Sequence, residues 1–184
     1  HFHWTSGILS SRLVDKLSTS DKTIFVTSHD MNYFTGGCHY SAGCDRFRDV
    51  CKKCPQLAQD PLKLVAGGYQ RKIRSLALLN ATWVFPSVWL WREFKSSRLG
   101  HKPGRVLPNC ANTDRFYPVS KKLRNLLRPK FGVSENEVVV VAGAQDNREK
   151  RKGFSVLQHA IARLGAECAG SATNVAVITF GDGK

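Results

Sequence analysis

The sequence predicts an α/β protein built on parallel sheet, and three observations carry that reading. The run "KTIFVTSHD", residues 22 to 30, is β-branched and apolar between polar flanks, the pattern of a strand buried on both faces. Near the other end, "EVVVVAGA", "FSVLQHAIARLGAECA" and "NVAVITFG" follow one another as a single β-α-β unit. Between them, short strand-like runs alternate with helical patterns, which is how parallel strands joined by crossover helices appear in a sequence.

Taken in order, the first strand ends at His29 and Asp30, where a functional loop is expected to start. A cysteine-rich loop over 36–57 follows. "GGYQRKIRSLALLNA" is predicted to be a helix with Ile73, Leu76, Ala77 and Leu79 inward and Arg71, Lys72 and Arg74 outward. "TWVFPS" is a short strand broken at Pro86. "VWLWREFKSSRLG" is a helix ending at Gly100, and "GRVLPN" is another short strand. The irregular stretch "CANTDRFYPVSKKLRNLLRPKFGVSENE" is predicted to be a linker containing a basic helical turn. No internal repeat or low-complexity tract is present.

With 184 residues and 42% hydrophobic content, the chain can build a core, as one ordinary domain or two small ones. No run approaches the roughly 20 apolar residues that span a bilayer. The opening "HFHWTSGILSSRL" lacks the charged and apolar regions of a secretion signal, so a reducing compartment is expected. Lysine and arginine outnumber acids 28 to 14. That excess suits an anionic partner such as nucleic acid, an anionic membrane face or a phosphorylated substrate, and it also fits a merely solvated surface.

Four of the six cysteines fall within seventeen residues, as Cys38-x5-Cys44-x6-Cys51-x2-Cys54. A structural zinc site made of these four needs thiolates about 2.3 Å from one ion, and a Gly-rich basic loop of this length can wrap one, with His39 as a spare ligand. Two disulfides and unlinked packing thiols are the alternatives, and the expected compartment disfavours the disulfides. The CxxC step next to an α/β pattern also raises a thioredoxin-like redox pair, which Pro55 and the long loop oppose. Cys110 and Cys168 are expected to take no part.

"VVVVAGAQDNREKRKGF" sets a buried strand, a turn containing glycine, several cations and then a helix starting near Gly153. A helix N-terminus next to lysine is suited to a phosphate, within reach of Arg148, Lys150, Arg151 and Lys152. A solvated basic loop is the plainer alternative. Neither a GxGxxG nor a GxxxxGK[ST] motif supports a dinucleotide or P-loop site.

Together, "SHDMNYFTGGCHYSAGCDRF", "CPQL", "VFPSVWLW", "LPNCANTDRFYP" and "RKGF" resemble, in order, the landmarks of the bacterial family-four glycosyltransferases that build exopolysaccharide and O-antigen repeat units, and "HFHW" resembles the segment that those proteins carry ahead of "HDM". The resemblance spans nearly the whole chain. It implies a GT-B architecture of two Rossmann-like parallel-sheet domains, with the acceptor on the first and the nucleotide-sugar donor on the second. It places a partial acceptor-side domain at 1–108, a linker at 109–134 and a partial donor-side domain at 135–184.

The same resemblance implies that His29 stands at a strand end close to the transferred sugar, as the catalytic residue. Lys152 with Gly153 matches the "KG" whose lysine contacts the donor diphosphate, and Arg148 stands in for an arginine that relatives carry just after the strand glycine. Here Gly143 is followed by Ala144 and Gln145 instead. The interdomain "PNG.D" turn of the family becomes "PNCAN", with Cys110 and Asn112 at the glycine and aspartate positions.

Family members carry a strand and glycine-rich loop before "HW", and an E-x7-E motif further on that holds the donor. Neither occurs here, so the sequence resembles the middle of such an enzyme and is expected to transfer nothing by itself. The implied chemistry is retaining transfer, without a catalytic metal, from a nucleotide-diphosphate sugar to a lipid-linked saccharide. Its expected place is cytoplasmic, peripheral on the anionic inner face of the plasma membrane, with any zinc structural. The rival readings are a zinc-stabilised nucleic-acid-binding module using Trp83, Trp89 and Trp91, and a non-catalytic remnant.

Overall fold

The computed structural model describes residues 1–167 and 174–182, so Cys168 lies outside the described residues. The chain divides into two compact units, His1–Ala111 and Asn112–Lys184.

The first unit contains three parallel strands, β1 (Ile24–Thr27), β2 (Ala81–Phe85) and β3 (Gly104–Val106), in the order β1-β2-β3. Helices α1 (Ser11–Ser18), α2 (Leu64–Leu78) and α3 (Val88–Lys95) complete it. The N-terminal segment extends the sheet beyond β1. The Phe2 amide donates to the Phe25 carbonyl at 2.8 Å and the Phe2 carbonyl accepts from the Thr27 amide at 2.8 Å, a parallel bridge to Val26. Burial of β1 on both faces is not what the structure shows. Ile24 and Val26 are buried, but on the other face Thr27 is covered while Phe25 stays 41% exposed, with only the edge of the His1 ring 5.9 Å away.

Trp83, Phe34, Phe85 and Phe94 are all fully buried and form the centre of the core. Ring centroids lie 5.0 Å apart for Trp83–Phe94, 4.8 Å for Phe85–Phe94 and 5.7 Å for Phe34–Phe94, the spacing at which aromatic pairs attract. Helix α2 lays Tyr69, Ile73 and Leu76 onto this core at helical spacing, and Leu79 follows just past its end. It starts at Leu64, one turn before the predicted glycines, because the Asp60 carboxylate accepts from the amides of Leu64 (2.8 Å) and Val65 (3.1 Å). Helix α1 has no counterpart among the sequence-based expectations. Its polar run buries only Val14, and the Ser10 hydroxyl that accepts from Leu13 is its clearest local signal.

Lys72 corrects the predicted outward face of α2. Its ammonium turns in to donate to the carbonyls of Asn32 (2.7 Å) and Thr35 (3.1 Å), and desolvation lowers its pKa. Tyr69 lies nearby, fully buried, with its hydroxyl donating to the Phe47 carbonyl at 2.6 Å. Burial, reinforced by the Cys51 thiol, pushes its phenol up to about 12 from 10.0. Because that pKa is raised on folding, the stability it contributes is intact below pH 10 and lost as pH rises from about 10 to 12. Tyr69→Phe is expected to cost about 1 kcal/mol at neutral pH and to flatten this alkaline limb. Urea denaturation followed at pH 8 and pH 11 would check it, and an unchanged alkaline slope in the variant would contradict it.

The second unit contains a two-stranded parallel sheet, β4 (Val138–Asp146) and β5 (Val175–Asp182), with α5 (Phe154–Glu167) between them in sequence. The β-α-β unit therefore forms as predicted. Its strands are not buried throughout, however: Val138, Val141 and Phe180 are 51%, 61% and 59% exposed, since two strands and one helix offer little cover. Gly143 is required by close approach, because a Cβ there would run into the Phe180 carbonyl of β5. The stretch read as a linker is partly ordered. Ser120 caps α4 (Lys121–Leu127) by accepting from the Leu123 amide at 3.3 Å. A 3-10 turn, Arg128–Phe131, follows and ends at Gly132, and the buried Arg128 guanidinium donates to the carbonyls of Ser134 (2.8 Å) and Glu137.

Candidate functional site

The carboxyl end of β1 gathers an imidazole-rich face. In parallel α/β sheets, strand carboxyl ends are where loops converge to bind ligands. Pairing Phe2 with Val26 carries the "HFHW" segment to the same level as "SHD". The exposed His29 Nε2 then lies 2.9 Å from His3 Nδ1, with the two rings stacked at 5.2 Å. A hydrogen bond between two ring nitrogens needs one donor and one acceptor, so at least one of the pair is neutral. The His1 ring lies 4.3 Å from that of His3, tilted by 40°, and its Nε2 lies 2.8 Å from Thr27 Oγ1.

Behind this face, buried Asp30 organises the loop. Its Oδ1 accepts from the Asn32 amide at 2.8 Å and its Oδ2 meets His39 Nδ1 at 2.8 Å. The His39 ring lies parallel to Trp4, 4.6 Å away at 4°. His39 is therefore engaged by Asp30 and Trp4 here, not held in reserve for the cysteines. Tyr33 ties the two segments together by donating to the His3 carbonyl at 2.8 Å and accepting from Thr5 Oγ1 at 3.0 Å. His3 and Trp4 were not singled out from sequence, and Asp30 was named only as the place where the loop begins. The H-x-H spacing is a hint, but only the Phe2 bridge shows that it faces His29.

The donor-side candidates lie in the second unit. A 3-10 turn, Lys150–Lys152, precedes Gly153, whose φ of 71° is a left-handed conformation that glycine adopts without strain. The Gly153 carbonyl accepts from the Leu157 amide at 3.0 Å, so Lys152 and Gly153 stand where α5 begins. Lys152 is exposed. Arg148 is pinned to its own strand, with Nε 2.9 Å and Nη2 3.2 Å from the two Asp146 oxygens. This guanidinium holds the Asp146 carboxyl below the usual carboxylate range.

Cys38, Cys44, Cys51 and Cys54 all line one cavity of about 270 Å³ in the loop between β1 and α2. All four are free thiols, as is exposed Cys110. Among the described residues, no three histidine, cysteine or acidic side chains stand close enough to grip an ion as they lie. The "PNCAN" turn is exposed, and Asn112 Oδ1 accepts from the amides of Asp114 (3.0 Å) and Arg115 (3.1 Å), so it shapes the turn much as an aspartate would. No helix among the described residues is long and apolar enough to cross a membrane.

No protein-family model matches the chain, and no solved structure matches it. Over 113 residues it is 27% identical to a protein of Escherichia coli (strain K12) described as "Putative colanic acid biosynthesis glycosyl transferase WcaC". That match takes in 57% of this chain and 27% of the relative, so the chain spans about a quarter of the length of the curated protein it resembles.

Proposed function

We propose that the chain belongs to a glycosyltransferase of cell-surface polysaccharide synthesis, moving a hexose with retention from a nucleotide-diphosphate sugar to a lipid-linked saccharide. The partial likeness to WcaC is the observation that carries this reading. The parallel sheets and the imidazole face at the end of β1 agree with a GT-B enzyme whose first domain presents the acceptor. In this reading His29 lies beside the transferred sugar. Lys152, with the amides at the start of α5, stabilises charge on the departing diphosphate, a task that needs no catalytic metal. Arg148, paired with Asp146, contributes through the guanidinium edge that the pair leaves exposed. The net charge of +14 suits a peripheral position on an anionic membrane face, where each basic residue near the headgroups adds roughly 1 kcal/mol.

Donor binding and transfer test the two halves of the reading separately. Titrating the chain with nucleoside diphosphates and their sugars should show binding that Lys152→Ala weakens by about 1.5–3 kcal/mol, the range of a charge-assisted contact. In a full-length enzyme that contains this segment, His29→Ala should leave donor affinity unchanged while lowering turnover with a lipid-linked acceptor. Nucleotide binding indifferent to Lys152 would remove the donor assignment. The nucleic-acid alternative is weakened by burial: Trp83 is fully buried and Trp91 packs on the core, leaving Trp89, 53% exposed, as a surface ring for a base.

A further inference from the structure

The loop between β1 and α2 is an anomaly in an otherwise regular unit. From Thr35 to Lys63 its regular structure is one 3-10 turn, Arg46–Arg48. Loops this long without structure of their own are uncommon inside compact domains unless something else ties them down. Yet this loop covers the core, with Phe47 buried beneath it and Tyr69 of α2 bonded to the Phe47 carbonyl. The four cysteines, spread over seventeen residues of sequence, all come to one cavity.

We infer that this loop is a structural zinc site in which Cys38, Cys44, Cys51 and Cys54 close around one ion. Three further observations point the same way. The Gly36 amide donates to Cys51 Sγ at 3.2 Å, the kind of N–H to sulfur bond that supports a metal-bound thiolate. Gly36 has to be glycine for that approach, since a Cβ would lie 2.7 Å from Val65 Cγ1 and 2.9 Å from Cys51 Cβ. Between Cys51 and Cys54, Lys53 adopts a φ of 48°, a conformation costly for a residue with a side chain, and the Arg46 guanidinium holds that turn by donating to the carbonyls of Lys52 and Lys53.

Four thiolates around Zn²⁺ carry a net charge of −2. The basic residues Arg46 and Lys52 line the same cavity, and the Lys72 ammonium, held at the Thr35 carbonyl, offsets that charge from below. The sulfurs do not yet converge on a point, so ligation requires the loop to draw in by folding around the ion, as metal sites commonly do. A set of four thiolates suits zinc or an iron–sulfur centre, and harder, oxygen-seeking ions are disfavoured by the absence of carboxylates from the cavity lining. This inference does not depend on sugar transfer, and its test does not use that activity.

The test is metal analysis of the full chain purified without chelator, together with thiol titration and cobalt substitution. One zinc per chain is expected. Chelation should release it, lower the melting temperature and turn four slow thiols into fast ones, while cobalt in its place should give the visible bands of a tetrahedral tetrathiolate. Cys54→Ser should reduce zinc retention at least tenfold, whereas Cys110→Ser should not change it. Should Cys54→Ser fail to fold, the cobalt spectrum and the protection of four thiols by zinc in the unaltered chain still decide. The inference is overturned by a metal content near zero with four fast thiols after zinc addition, by disulfides within the loop, by an iron–sulfur chromophore, or by zinc retained equally in both variants.

Discussion

Trp83→Ala is expected to destabilise the first unit by about 3–5 kcal/mol, the range for truncating a large buried aromatic residue. Trp83 is fully buried at the middle of β2, paired in register with Val26 of β1 and Gly104 of β3. Its ring meets Phe94 at 5.0 Å and the edge of Tyr33 at 5.5 Å, so alanine leaves a cavity between a strand, a helix and the loop that bears the imidazole face. Domains of this size have only about 5–15 kcal/mol in total, so much of the unit's stability is lost. Trp89→Ala, on the exposed side of α3, should change stability by less than about 0.5 kcal/mol. Urea denaturation followed by far-ultraviolet circular dichroism compares the two. Equal midpoints for both variants would show that the core is not where Trp83 lies.

Asp30→Ala should cost about 1.5–3 kcal/mol and disorganise the loop after β1. The carboxylate is buried and bonded on both oxygens, so its removal leaves the Asn32 amide and the His39 ring without their partner. The His39 ring should then lose its fixed position over Trp4, seen as a shift of its imidazole resonances and a change in Trp4 fluorescence. Asp30→Asn keeps an acceptor for Asn32 and should fall between. His29→Ala removes an exposed ring whose one hydrogen bond is to another exposed ring, so stability should hardly move. The contrast separates a residue that builds the loop from one presented by it. If Asp30→Ala leaves both stability and the His39 resonances unchanged, the buried pair does not organise the site.

Much of the architecture is legible in the sequence because the signals that specify it are local. The apolar β-branched runs at β1 and β4, the helical spacing of Ile73, Leu76, Ala77 and Leu79, and the β-α-β succession in the second unit each depend on residues within a turn or a strand of one another. The same logic fails at α1, where a polar eight-residue helix buries one side chain, whereas the basic helical turn predicted between the units forms as α4 behind a serine cap.

The site was legible only in part, for a related reason. His29, Lys152, Gly153 and the four cysteines were named from motif, spacing and resemblance, whereas His3 and Trp4 were not, and neither was the contact between Asp30 and His39. Their meeting depends on a parallel bridge between Phe2 and Val26, residues far apart in the chain. Lys72 and Phe25 show the same limit from the other side. Helical periodicity assigned Lys72 to solvent and the apolar run assigned β1 to burial on both faces, but burial is set by what packs opposite: loop carbonyls reach over Lys72, while Phe25 stays 41% exposed. By itself the sequence determined which segments become parallel strands and crossover helices and where its thiols and cations cluster. Only the tertiary structure decided which side chains share a face, because local pattern carries the preference of each segment but not the register between distant ones.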